Sequence, residues 1–242
     1  MKKFLFAFCV IFSLGLAAVF GYFSVAHFTH NEQKTAILNY VILFAVSLPV
    51  ATALHEAGHV IFGALVKIKA VPELNFINSS SCKIIPYTNK NLKGKIIFTA
   101  SGGLVINALC VILGGLAFVL DGIPAEISAV IPASFYLLFL NALPFVYSDG
   151  KTDGLVIYGL CRESDSAKVM LAVLTVQAQV LKGKSISDVD ENLLFGLPQI
   201  QEDDESFIAL TELRYEYFKA KNDGRQAEFY KNRFEELKNT YL

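Results

Sequence analysis

Ala51-Thr52-Ala53-Leu54-His55-Glu56-Ala57-Gly58-His59-Val60-Ile61-Phe62 lies inside an apolar run covering about residues 37–66. The run predicts a helix, and residues four apart in a helix share one face, so His55 and His59 point the same way. Two imidazoles so placed can hold one Zn²⁺, while the intervening Glu56 reaches water at the metal as a general base. The chain has four histidines, and two of them are these. Coincidence is the bland alternative: three fixed residues of uncommon type arise by chance in about one sequence in a hundred of this length. Ionisable side chains are expensive within an apolar span, where they mark functional sites.

Working outward, three further apolar stretches occupy about residues 4–24, 96–120 and 127–147, each near the roughly 20 residues that a spanning helix needs. Hydrophobic residues make up 54% of the 242, and the mean hydropathy is positive, both above an ordinary soluble chain. The expected fold is therefore an all-α membrane protein of about four transmembrane helices, with a C-terminal cytoplasmic helical domain. Residues 1–160 form the transmembrane core and 161–242 the helical domain. The net charge of −1 supplies no basic field for nucleic acid.

Lys and Arg in short loops stay on the cytoplasmic side. Lys67, Lys69, Lys83, Lys90, Lys93 and Lys95 all fall between the second and third stretches, whereas the connection containing Asp121 and Glu126 has no basic residue. Lys2 and Lys3 precede the first stretch, and Lys151 and Arg162 follow the fourth. A multi-pass protein with both termini cytoplasmic is expected. The start, Met1-Lys2-Lys3 before an apolar run, also suits a signal peptide, but Ala17-Ala18-Val19-Phe20 is a poor cleavage site and retention is favoured. His27 and His30 then fall in an external loop as solvated residues.

Between Pro72 and Lys95, the runs Leu74-Asn75-Phe76-Ile77 and Lys83-Ile84-Ile85-Pro86-Tyr87 flank Asn78-Ser79-Ser80-Ser81. This reads as a small β-hairpin or as a plain loop. A strand edge here matters if an extended substrate pairs with it.

A catalytic zinc generally takes three protein ligands, so a third must come from elsewhere. The segment from Asn141 to Gly154 ends the fourth stretch and carries two Asp-Gly pairs, Asp149-Gly150 and Asp153-Gly154. Either carboxylate is placed to serve.

Taken together, His55-Glu56-x-x-His59 and the later Asn141-x-x-Pro144…Asp-Gly resemble the site-2 protease family of intramembrane zinc metalloproteases, over roughly residues 40–160. The resemblance implies a zinc metalloendopeptidase that hydrolyses membrane-spanning or membrane-adjacent protein or peptide substrates, with the Asp-Gly aspartate as third ligand. The family motif has a shorter form, matching Asp149, and a longer one that runs directly into a helix, matching Asp153. The longer is preferred, leaving Asp149 in a turn. Ser101-Gly102-Gly103-Leu104-Val105-Ile106-Asn107 is similar to the family's Gly-Pro-x-x-Asn segment, with Leu104 where proline is usual. Asn107 and Asn141 are candidates to bind substrate or orient the site, or simply to satisfy a neighbouring helix. Gly102 and Gly103 let helices approach closely.

Beyond the core, Ser166–Leu174 reads as a packed helix, and a helix from Leu213 stops at Asn222-Asp223-Gly224 before another from about Arg225 to Lys238. With Tyr215, Phe218, Ala227, Tyr230 and Phe234 as its apolar face, the pair reads as a tetratricopeptide-like module for a protein partner or as a small helical bundle. Cys9, Cys82, Cys110 and Cys161 lack paired spacing and are read as free thiols without a role. Two rivals stand beside the protease. A non-proteolytic scaffold has no use for Glu56, and an ion-translocating protein commonly shows an internal repeat that this chain lacks.

Overall fold

The computed structural model describes residues 7–8, 11–12, 14–15, 18–19, 33–73, 81–120, 128–147 and 150–241. His27, His30, Cys9, Asp149 and the run Leu74–Ile77 lie outside them. The chain divides into two compact units. One comprises residues 1–63, 70–83 and 98–156, the other 64–69, 84–97 and 157–242.

The first unit is dominated by two apolar helices, α1 (Gln33–Leu65) and α2 (Leu92–Val119), whose ends run on into the second unit. Both are long and apolar enough to cross a bilayer, α1 over Val41–Leu65. α1 is polarised in an unusual sense. Leu38, Val41, Ile42, Val46, Val50, Leu54 and Ile61 are exposed, while Ser47, Ala51, His55, Glu56 and His59 are buried. The polar residues of this apolar helix thus face inward, and its apolar side chains face out. Pro49 within α1 removes one backbone donor and marks where the helix can bend.

Glycine contacts hold α1 against α2. A Cβ on Gly58 would collide with the Gly102 carbonyl, and one on Gly102 with the Gly58 carbonyl, so the two backbones touch where neither has a side chain. Phe62 and Phe98 stack beside this crossing, ring centroids 4.9 Å apart.

β1 (Ile68–Glu73) and β2 (Ser81–Pro86) pair in a two-stranded sheet. The hairpin reading thus holds, but its first strand starts at Ile68, upstream of the segment that the sequence singles out. The α1 helix ends in a turn at Val66-Lys67, where Lys67 takes φ 62°, and the chain enters the strand at once.

Of the four expected spans, two are long enough among the described residues. The first apolar stretch lies largely outside them, and the fourth forms the shorter helix α3 (Val130–Ala142) of 13 residues. Pro144 forces Leu143 out of helical conformation, to φ −83° and ψ 142°, which ends α3. β3 (Val146–Tyr147) and β4 (Gly150–Lys151) then pair antiparallel, Val146 opposite Lys151, with Gly150 at φ 147°. The helix α4 (Asp153–Arg162) follows.

In the second unit, α5 (Asp165–Leu181) is capped by Ser164, whose Oγ accepts the Ala167 N–H. It packs as expected, with Val169, Val173 and Val176 meeting Val189, Leu194, Leu210 and Tyr217 in one core. A 3₁₀ turn (Ile186–Asp188) and the short α6 (Asn192–Phe195) lead to α7 (Glu205–Ala220) and α8 (Gly224–Tyr241). The α7–α8 hairpin turns at Asn222, at φ 59°, as its Asn-Asp-Gly predicts. Because α7 begins eight residues earlier than expected, its buried face runs through Ile208, Leu210, Thr211 and Tyr217. Tyr215 is only half-buried, under the Lys219 ammonium.

Candidate metal centre

His55 and His59 stand one turn apart on α1, both buried, with imidazoles edge-to-face and centroids 4.8 Å apart. Asp153 opens α4 and brings Oδ2 to 3.1 Å from His55 Nε2 and 3.4 Å from His59 Nε2. The two Nε2 atoms are 3.2 Å apart. Among the described residues these three form a group that can hold a metal ion.

Proton placement argues that they suit one. His59 Nδ1–H donates to the Thr99 carbonyl at 2.9 Å, which leaves the His59 Nε2 lone pair facing inward. Asp153 Oδ2 is buried against the two Nε2 atoms, and Glu56 Oε2 is buried with no hydrogen-bond partner. The His59 Nε2 lone pair and the Asp153 carboxylate oxygen, 3.4 Å apart, repel one another, and a cation between them removes the conflict. Ligand atoms about 2.05 Å from a tetrahedral centre lie about 3.3 Å from one another. The three observed separations, 3.1, 3.2 and 3.4 Å, bracket that edge.

The space beside the cluster is kept open by Gly103. A Cβ there would sit 2.6 Å from His55 Nε2 and 2.7 Å from His59 Nε2, against both candidate ligand atoms. The sequence suggests only helix packing for Gly103; its missing side chain also leaves the site its room.

Asp153 is positioned by Thr152, a residue to which the sequence assigned no role. Its buried Oγ1 donates to the Leu143 carbonyl at 2.6 Å and accepts the N–H groups of Phe145 and Leu155, each at 3.1 Å. One hydroxyl therefore caps α4 and ties it to the chain leaving α3. A threonine directly before an Asp-Gly helix start is a readable capping signal. Gly154 completes the junction, because a Cβ there would collide with the Ala142 carbonyl.

Asn107 is fully buried on α2, with Nδ2 3.0 Å from His55 Nδ1. Asn141 instead donates to the Leu137 carbonyl of its own helix at 3.1 Å. Cys82 on β2 feels the same charges: burial first, then the carboxylates of Glu56, Asp153 and Glu73, push its thiol up to about 12. Comparison with protein-family models, with curated proteins and with solved structures finds no match to this chain.

Proposed function

We propose that the chain is an intramembrane zinc metalloprotease of the site-2 type, with His55, His59 and Asp153 as zinc ligands and Glu56 as general base. The observation that carries the reading is the convergence of three ligand atoms at 3.1–3.4 Å beside a buried carboxylate oxygen without a partner. A structural site has no use for that fourth group. A bound Zn²⁺ supplies a water acidified towards a pKa of roughly 7 and polarisation of the scissile carbonyl.

The chain's own residues do the rest. Glu56 Oε2 takes a proton from the attacking water as the C–O bond forms, then returns it to the amine nitrogen as the C–N bond breaks. Gly103 leaves space for the peptide, and burial of the histidines keeps bulk water from the ligand set. The substrate is a membrane-spanning or membrane-adjacent segment, unwound locally, because a helix's internal hydrogen bonds hide its carbonyls. Four spans with both termini cytoplasmic suit this reading, as does the cluster of lysines between the second and third stretches.

The test is Glu56→Gln in purified, detergent-solubilised protein supplied with a transmembrane peptide. The amide keeps the shape and cannot take the proton, so zinc stays bound and cleavage falls about 10²–10⁴-fold. Undiminished cleavage would overturn the mechanism.

A further inference from the structure

The two histidines are held by partners of different chemistry. His59 Nδ1 faces the Thr99 carbonyl, which can only accept, so the proton belongs on Nδ1 and Nε2 is bare. His55 Nδ1 faces the Asn107 side-chain amide, whose two ends have opposite character and nearly the same size. With Nδ2 towards the ring, the amide donates to Nδ1, and the neutral imidazole carries its proton on Nε2. That proton points at Asp153 Oδ2, 3.1 Å away. A ring in this form has no lone pair at Nε2 for a metal. In the same arrangement Asn107 Oδ1 is buried without a hydrogen-bond partner, which costs free energy.

Turning the amide by half a rotation about its last bond exchanges the two ends. Oδ1 then accepts an N–H from His55 Nδ1, and Nε2 is bare. One proton leaves Nε2 and one arrives at Nδ1, so the ring stays neutral. No backbone has to move, since the exchanged groups fill the same space.

We propose that Asn107 is a positioning residue that selects the His55 tautomer. With its carbonyl oxygen towards the ring, the amide accepts from His55 Nδ1 and leaves Nε2 bare for a metal; the amide lies within 3.0 Å of that Nδ1 and is fully buried. The proposal rests on the zinc reading above and adds a residue that touches neither metal nor substrate. It also separates the two asparagines. Asn107 is committed to His55, whereas Asn141 is committed through Nδ2 to its own helix.

The test measures zinc affinity by chelator competition on the full chain in detergent, for wild type, Asn107→Asp and Asn107→Leu. Asp presents only acceptors and holds the metal-ready tautomer, so its affinity stays within about threefold of wild type or tightens. Leu fills the space without accepting, and affinity drops about 10–100-fold. Wild-type affinity in Asn107→Leu, or equal losses in both variants, would overturn the proposal while leaving the zinc reading intact. A wild-type protein that holds no zinc would overturn both. Should Asn107→Leu fail to fold, Asn107→Val is compared with Asn107→Asp by the same criterion.

Discussion

A carboxylate oxygen and an imidazole lone pair, held 3.4 Å apart in a buried site, repel each other unless something positive joins them. That conflict makes single side chains decisive here. Gly103→Ala puts a methyl group within 2.6–2.7 Å of both Nε2 atoms, and the variant is expected to fold with normal helix content yet retain no zinc. Circular dichroism with metal analysis checks this, and a fully loaded Gly103→Ala would show that the space is not needed. Asp153→Ala should likewise lose zinc, whereas Asp149→Ala should keep it. The reverse pattern would put the shorter motif register in place of the longer. At this scale much was legible, because histidines at i and i+4 must share a face wherever the helix goes. Asn107 was named as a candidate to orient the site, but its partner His55 was not, and the Thr99 carbonyl was not legible at all, since both contacts depend on which side of α2 meets α1.

Between residues and the whole, the junction from α3 to α4 that positions Asp153, the proposed third ligand, is tied by the Thr152 hydroxyl and by the Thr152 N–H to the Phe145 carbonyl. Thr152→Val takes the side-chain acceptor away from the Leu155 N–H and one acceptor away from the Phe145 N–H, a loss of about 1–3 kcal/mol in stability. Thermal melting reads that loss. Zinc affinity should fall with it, because α4 is no longer fixed at its first residue; a lower melting point with unchanged affinity would mean that Asp153 is positioned by other contacts. The Asp-Gly start of α4 was readable from sequence and its cap was missed, though Thr before Asp is a usable signal. The β-hairpin was readable too, but its strand Ile68–Glu73 was not singled out, because Ile68-Lys69-Ala70-Val71 directly follows an apolar helix and reads as its tail. The hairpin adds a chemical expectation of its own. With the Cys82 thiol raised to about 12, thiolate is about one part in ten thousand at pH 8, and its share grows as pH rises towards that value. In the metal-free protein Cys82 should therefore alkylate far more slowly at pH 8 than the exposed Cys161, and equal rates would contradict the buried environment beside Glu56 and Asp153.

At the scale of the molecule, hydropathy alone located α1 and α2, since both are long apolar runs, long enough to cross a membrane. It was less informative for the 13-residue α3, where an apolar run of similar hydrophobicity ends early at Pro144. The C-terminal helices were legible from their Asn-Asp-Gly stop, while the start of α7 at Glu205 was missed although Asp204 caps it, a usable start signal. The lysine distribution predicts that reporter fusions at residues 30 and 123 lie outside and those at 85 and 200 inside, and a cytoplasmic signal at 123 would overturn the arrangement. Everything proposed for the function depends on one metal held by residues from α1 and α4. The most direct test is the zinc content of purified wild-type protein beside His55→Ala and Asp153→Ala. About one zinc per chain in wild type and almost none in either variant is the predicted result; equal zinc in all three would contradict the site.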